Sequence, residues 1–379
     1  MRHFTNKQQN CPEATIRRYR AVSWILAVCV VLLVCTCAFI CVQRRNHDAE
    51  AARKGFYTPN VEREYLAGGI VWQLSAESQG LMQQAFAIAA DRVNEMMERC
   101  LNSEETDWRY DPEENAMYFQ GKRAAIVADI DDTLVDGAHY SCDVVGNNGD
   151  YNNVAFARFV MSESCTALPG TLEFIQTCRE NGIEVYYVTN RSDRGYKIGQ
   201  SDSMGSYTDA VNGGKGAYIG RDGQEIGASI CQCLGKTMYD ISLESMRRLG
   251  FPVDDRHLIL NDGVLLGKSK EAARQAIAAG NAAFPNGQRA DENTLGTAVT
   301  VEMEPHSIVM MLGDNLADFT DDFSDENLDA VSRSELMGTY TDRIGTTWIL
   351  LPNAMYGDSF AYAESYGIGK LLSENSYVK

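Results

Sequence analysis

Five short apolar runs, Ala124–Ala128, Ile183–Val188, His257–Leu260, Ser307–Leu312 and Thr347–Leu351, punctuate the chain at wide intervals. Short runs this rich in apolar residues suit strands covered on both faces. Stretches with helical spacing separate several of them: Leu172–Glu180, Ile241–Leu249 and Ser269–Ala279. Strand–helix alternation predicts an α/β protein built on a doubly wound parallel sheet. Upstream, Ser75-Ala-Glu-Ser78 reads as a helix start, and Leu81, Ala85, Phe86, Ala89, Val93 and Met96 then recur at helical spacing. Residues 192–236, rich in Gly, Ser and Asp, and residues 280–302, rich in Gly, Asn and Ala, fit neither pattern and read as insertions on the sheet.

A different apolar segment lies near the start. Residues 21–42 form 22 uncharged residues interrupted only by Ser23 and Thr36. A bilayer-spanning helix needs about 20 apolar residues, and a signal-peptide core is shorter. The expected layout is a cytoplasmic tail (1–20), a single-pass signal-anchor (21–42), a polar stalk (43–66) and a folded extracytoplasmic domain (67–379). Five basic residues before the span and four after it favour this orientation weakly. A secreted or lipid-anchored product of signal cleavage is the alternative. With 52 acidic against 34 basic residues, the net charge of −18 argues against a nucleic-acid polymer as partner. Of 11 cysteines, Cys100, Cys142, Cys165, Cys178, Cys231 and Cys233 lie beyond the span, where they are free or paired rather than metal ligands.

Four of the predicted strands end in, or are soon followed by, residues that carry chemistry. After the first come Asp129-Ile-Asp-Asp-Thr-Leu134; Asp129 and Asp131, two apart on an extended chain, face the same side. The second ends in Val188-Thr-Asn-Arg191, presenting a hydroxyl. Beyond the third, Lys268 and Lys270 stand at a predicted helix start. The fourth ends in Gly313-Asp-Asn-Leu-Ala-Asp-Phe319, with Asp314 and Asp318 one turn apart. Alone, each reads more simply as a solvated turn, a cap or a surface lysine. Together, at the carboxyl ends of strands where open α/β sheets bind ligands, they supply carboxylates, hydroxyl, ammonium and metal-binding groups to one crevice.

This constellation resembles the haloacid dehalogenase superfamily of phosphohydrolases. With Leu351-Pro-Asn-Ala-Met-Tyr-Gly-Asp358 and the opening Val71-Trp-Gln-Leu-Ser-Ala-Glu77, it is similar to the class C acid phosphatases, the lipoprotein e and 5′-nucleotidase group. The resemblance implies a sheet with a small, mostly helical cap. It implies that Asp129 attacks phosphorus and forms an aspartyl-phosphate, and that Asp131 protonates the leaving oxygen and later activates water. Thr189 and Lys270 would hold phosphate oxygens, Lys270 being preferred to Lys268. Mg²⁺ would be held by Asp129, the Asp131 carbonyl and Asp314, with Asp318 orienting or joining that shell. Asn190, Tyr140 and Tyr356 would face the substrate.

There are departures. Ser78 follows Glu77 where the family places an aromatic, the tryptophan expected after the first motif is missing, and Asp132 replaces a usual Glu. The implied function is a Mg²⁺-dependent phosphomonoesterase acting on small phosphate esters, nucleoside monophosphates among them. The alternative is a surface binding or colonisation protein on the same fold with weak or lost activity.

Overall fold

A computed structural model describes residues 61–102, 104–146, 153–191, 236–260, 269–280, 283–284, 299–300, 304–324 and 328–358. The expected tail, span and most of the stalk lie outside these residues, as does nearly all of the 192–236 insertion. Among the described residues no helix is long and apolar enough to cross a membrane.

The chain enters through α1 (Val61–Gln73), which takes in the last residues of the expected stalk. Ser75 then caps α2 (Ala76–Leu101), its hydroxyl accepting from the Ser78 amide at 3.2 Å. Met82, Phe86, Ala89, Val93 and Met96 form the buried face of α2. Each large side chain buried there contributes about 1.5–3 kcal/mol, and Phe86 packs on Phe174 with ring centroids 5.9 Å apart.

Five parallel strands make the sheet: β3 (Lys122–Ala128), β4 (Glu184–Thr189), β5 (Leu258–Leu260), β8 (His306–Gly313) and β9 (Trp348–Leu350). They lie side by side in the order β5-β4-β3-β8-β9. The chain therefore winds outward from β3 in one direction and then crosses back to its other side. All five expected strands are present within one or two residues of their predicted limits. Ala124, Ile126 and Ala128 of β3 pack with α2, α5 (Thr171–Glu180) and α6 (Met238–Arg248). Ala125 and Val127 pack on the other face with Ala273, Ala276 and Ile277 of α7 (Glu271–Ala279). Burial on both faces is why these strands are rich in apolar residues at successive positions. Two short helices, α3 (Ala138–Gly146) and α4 (Asn153–Met161), lie between β3 and α5 in the chain.

One piece of the sheet was not expected. β1 (Trp108–Asp111) and β2 (Ala116–Phe119) form an antiparallel hairpin that continues onto the first residues of β3, making the sheet mixed. Gln120 (φ 50°) and Gly121 (φ 79°) make the tight turn into β3. Two consecutive left-handed residues suit the right-handed twist of the flanking strands. Within the second expected insertion, β6 (Ala283–Phe284) pairs antiparallel with β7 (Val299–Thr300). Beyond β8, two 3-10 turns (Leu316–Asp318, Asp321–Phe323) lead to α8 (Ala330–Gly338). Cys100, Cys142, Cys165 and Cys178 are all free thiols, and Cys231 and Cys233 lie outside the described residues.

Candidate active site

Sheet register brings the chemistry together. Ala128 pairs with Leu312, Thr189 with Leu260, and Gly313 with Leu350. Asp129, Thr189 and Asp314 therefore emerge at one edge of the sheet, at the β3/β8 boundary where the strand order reverses. Ligands of open α/β sheets bind at that switch point. A cavity of about 460 Å³ opens there, lined among others by Asp129, Asp131, Thr189, Asn190, Lys270, Asp314 and Asp318. Tyr140 and Tyr356 line it too. Every expected site residue thus meets in one place. Lys268 lies outside the described residues.

The carboxylates of Asp129, Asp314 and Asp318 each place an oxygen within 4.8 Å of the others. Asp129 is anchored through its amide, which donates to Leu312 O at 3.0 Å. The buried Thr133 hydroxyl faces Asp314 Oδ1 at 2.9 Å and Asp129 Oδ2 at 3.3 Å, spacing these two groups. The Asn353 amide donates to the other Asp314 oxygen at 2.7 Å. Asp318 folds back to accept from the Asn315 amide at 3.0 Å. That return needs Gly313, because a Cβ there would sit 2.5 Å from the Asp318 Cβ.

Lys270 enters from the start of α7, across 141 residues of sequence, with only 3% of its surface exposed. Its ammonium donates to Asp129 Oδ1 and lies 2.7 Å from Asp318 Oδ1. Burial works against that charge, but the two carboxylates outweigh it and hold the lysine above its ordinary value. Burial pushes the Asp129 carboxyl well up; Lys270 opposes the shift, while Asp318, Asp314 and Asp131 add to it. Asp314 rises to about 7 for the same first reason, with Asp318 and Asp132 contributing. Buried carboxylates crowded around one ammonium form a hard-oxygen set with negative charge to spare, which fits a divalent cation such as Mg²⁺.

Asp131 faces elsewhere. Its carboxylate is gripped by Arg191, with Nε donating at 2.8 Å and Nη2 at 2.6 Å. Its carboxylate lies outside the three-carboxylate cluster. Thr189, also buried, accepts the Arg191 amide at 3.2 Å. Tyr140 is buried against Phe156, with centroids 5.1 Å apart.

Asp132 is the group that sequence reasoning undervalued. It is 1% exposed, sits at φ 57°, and accepts from the Gly137 amide at 2.9 Å and the Tyr356 hydroxyl at 2.6 Å. A left-handed non-glycine residue beside a catalytic candidate is a strained position held by its surroundings. The Tyr356 hydroxyl is therefore engaged by Asp132, while the residue as a whole, 45% exposed, still lines the cavity. The last motif is tied down from α1 as well. Gln73 Nε2 donates to Pro352 O at 3.1 Å, and Gly69 packs so tightly on the Ala354 carbonyl that no side chain fits. Arg191, Thr133 and Asn353 are further site residues; each lay inside a recognised motif, but only spatial partners distinguish them from neighbouring polar residues.

Comparison with known proteins agrees with this geometry. Residues 39–202 match the family model described as HAD superfamily, subfamily IIIB (acid phosphatase). The fold is similar to the class C acid phosphatase from Bacillus anthracis, with TM-score 0.53 and 19% identity, covering 84% of this chain and 98% of that one. The same enzyme with tungstate bound gives TM-score 0.52 and 18% identity, covering 84% and 99%. Taken together, the family match over residues 39–202 and the likeness of fold support a phosphomonoesterase of the acid phosphatase type.

Proposed function

We propose that this protein is a Mg²⁺-dependent acid phosphatase that hydrolyses small phosphate monoesters through an aspartyl-phosphate, at the outer face of a membrane into which residues 21–42 anchor it. One observation carries the reading: a buried carboxylate, Asp129, stands at a strand tip with its two oxygens held by Lys270 and Thr133. An aspartate held so is oriented to attack, and a carboxylate nucleophile splits one hard displacement into two easier ones.

The roles follow from position. Asp129 attacks phosphorus. Lys270 and Thr189 receive the non-bridging oxygens, so that charge developing there meets a preset ammonium and hydroxyl. Asp131 gives a proton to the departing ester oxygen and then takes one from the incoming water. Asp129, the Asp131 carbonyl and Asp314 would hold Mg²⁺, with Asp318 orienting the group through its Asn315 and Lys270 contacts. When bound, the cation neutralises phosphate charge and keeps Asp129 ionised. Nucleoside monophosphates belong to the substrate class to be tested, with Tyr140, Asn190 and the Tyr356 ring on the leaving-group side of the cavity. The anchor rests on the 22-residue apolar run and its basic flanks.

The test is release of phosphate from p-nitrophenyl phosphate by the purified protein. Activity is expected with Mg²⁺ and lost on EDTA, with a metal-dependent rise in Tm. Asp129→Asn should lower turnover by about 10⁴-fold or more at unchanged circular dichroism. A folded wild type inactive with every divalent metal would overturn the reading in favour of a binding protein.

A further inference from the structure

Arg191 is an enclosed cation facing the site, its side chain 2% exposed. Its two donors to Asp131 form a planar fork on one carboxylate. Its remaining terminal nitrogen, Nη1, donates to Ser242 Oγ of α6 at 3.1 Å. The guanidinium carbon lies 5.4 Å from the centroid of the Phe156 ring on α4. A buried guanidinium held from three directions does not follow its partner; the partner follows it. Asp131 is the freer member of the pair, 19% exposed, and it lines the cavity. Asp129 and Asp131 leave the same strand two residues apart, yet one joins the carboxylate cluster and the other is drawn to Arg191.

We propose that Arg191 is the positioning residue for the proton-transfer carboxyl of Asp131, an inference that rests on the phosphatase reading above. Both Asp131 oxygens are held by the Arg191 fork on a group that lines the cavity outside the Asp129, Asp314 and Asp318 cluster, and in this proposal they face the departing ester oxygen. In the step it serves, an Asp129 oxygen bonds to phosphorus and the phosphorus–ester bond breaks. The bond's electron pair goes to the ester oxygen, which takes the proton from Asp131. The carboxylate left behind is the form the guanidinium fork fits best, already aimed for the water of the second step. Ser242 and Phe156 make this aim a property of how α4 and α6 pack.

The leaving group reads this directly. p-Nitrophenolate departs with little help from an acid, whereas an alkoxide needs the proton. On the full-length protein with Mg²⁺, kcat/KM is measured for p-nitrophenyl phosphate and for n-butyl phosphate. Arg191→Met is expected to lower the alkyl value by about 100-fold and the aryl value only a few-fold. In an Asp131→Asn background the same change should add nothing, because the effect passes through Asp131. Ser242→Ala keeps the ion pair but frees one arm, and should show the same alkyl-selective loss at less than about tenfold. Equal losses on both substrates, or a full additional loss in the Asp131→Asn background, overturn the proposal. If Arg191→Met does not fold, Ser242→Ala carries the comparison, and an equal loss on both substrates or none overturns it. A wild type that hydrolyses neither ester sinks the functional reading instead.

Discussion

The two ends of one parallel sheet treat the same functional group in opposite ways. At the carboxyl ends, Asp129, Asp314 and Asp318 crowd together, and burial with mutual repulsion raises Asp129 and Asp314. At the amino ends, Glu184 opens β4 beside His306, which opens β8, and His257, just before β5. Glu184 meets His257 Nε2 at 3.3 Å, His306 Nε2 at 3.1 Å and Arg123 Nη1 at 2.7 Å. Tyr186 OH lies 3.5 Å from Glu184 and from His306 Nδ1, and Asp254 sits 2.6 Å from His257 Nδ1. Hydrogen bonds from the two histidines hold Glu184 far below the ordinary carboxylate range despite its burial. One end crowds three carboxylates around a single ammonium, leaving negative charge for a cation to balance. The other satisfies its carboxylate from within the chain and gains stability. Environment, not residue type, separates chemistry from scaffold.

Perturbing each end should therefore register in a different measurement. Between the two ends, the larger effect belongs to Lys270→Met. It removes the ammonium between Asp129 and Asp318, and kcat/KM on p-nitrophenyl phosphate should fall by roughly 10²–10³-fold. Glu184→Gln is the counterpart at the other end. It should cost about 2 kcal/mol of stability, seen as a Tm several degrees lower, with kcat/KM unchanged. A loss of activity without a loss of stability in Glu184→Gln would break the division between the two ends.

That second difference should also depend on pH. His257 is raised above its ordinary 6.5 because Glu184 and Asp254 outweigh its burial, so its contribution is whole below 6.5 and fades as pH rises through the raised value. Glu184 is lowered from 4.5, so its contribution is whole above 4.5 and fades as pH falls toward the depressed value. Wild type and Glu184→Gln should differ most in unfolding free energy between about pH 4.5 and 6.5. A difference flat from pH 4 to 9 would remove the histidines from the account.

The smallest expected effect is that of Tyr356→Phe. It deletes one hydrogen bond to the buried Asp132 while keeping the ring on the cavity wall, costing about 1 kcal/mol in chemical denaturation. Its kcat/KM should fall less than tenfold, by about that energy. A loss as large as that of Lys270→Met would place the hydroxyl itself on the substrate.

How far these features were legible depended on range. The apolar-rich runs of β3, β4 and β8 read correctly because their cause, cover on both faces, acts on successive residues along the strand. Gln120-Gly121 carried a hairpin signal, but Ala116-Met-Tyr-Phe119 and Lys122-Arg123 mix polar and apolar residues without clean alternation, so β1 and β2 did not emerge. Asp132 looked like a mild replacement for Glu, because nothing local tells that Tyr356 and Gly137 close over it. Nothing local in the sequence marks His257 and His306 as partners of Glu184, since the three stand at or just before the starts of different strands.

The sequence by itself determined the order of strands and helices and the chemical type presented at each strand end. Those are properties of neighbours in the chain, governed by periodicity and turn chemistry. The tertiary structure decided which partner each polar group received: Lys270 for Asp129 across 141 residues, Arg191 for Asp131 across 60, and Tyr356 for Asp132 across 224. The physical reason is that a buried charge must be matched by whatever donor or acceptor the fold brings within about 3 Å, and that competition is settled only when the sheet has closed.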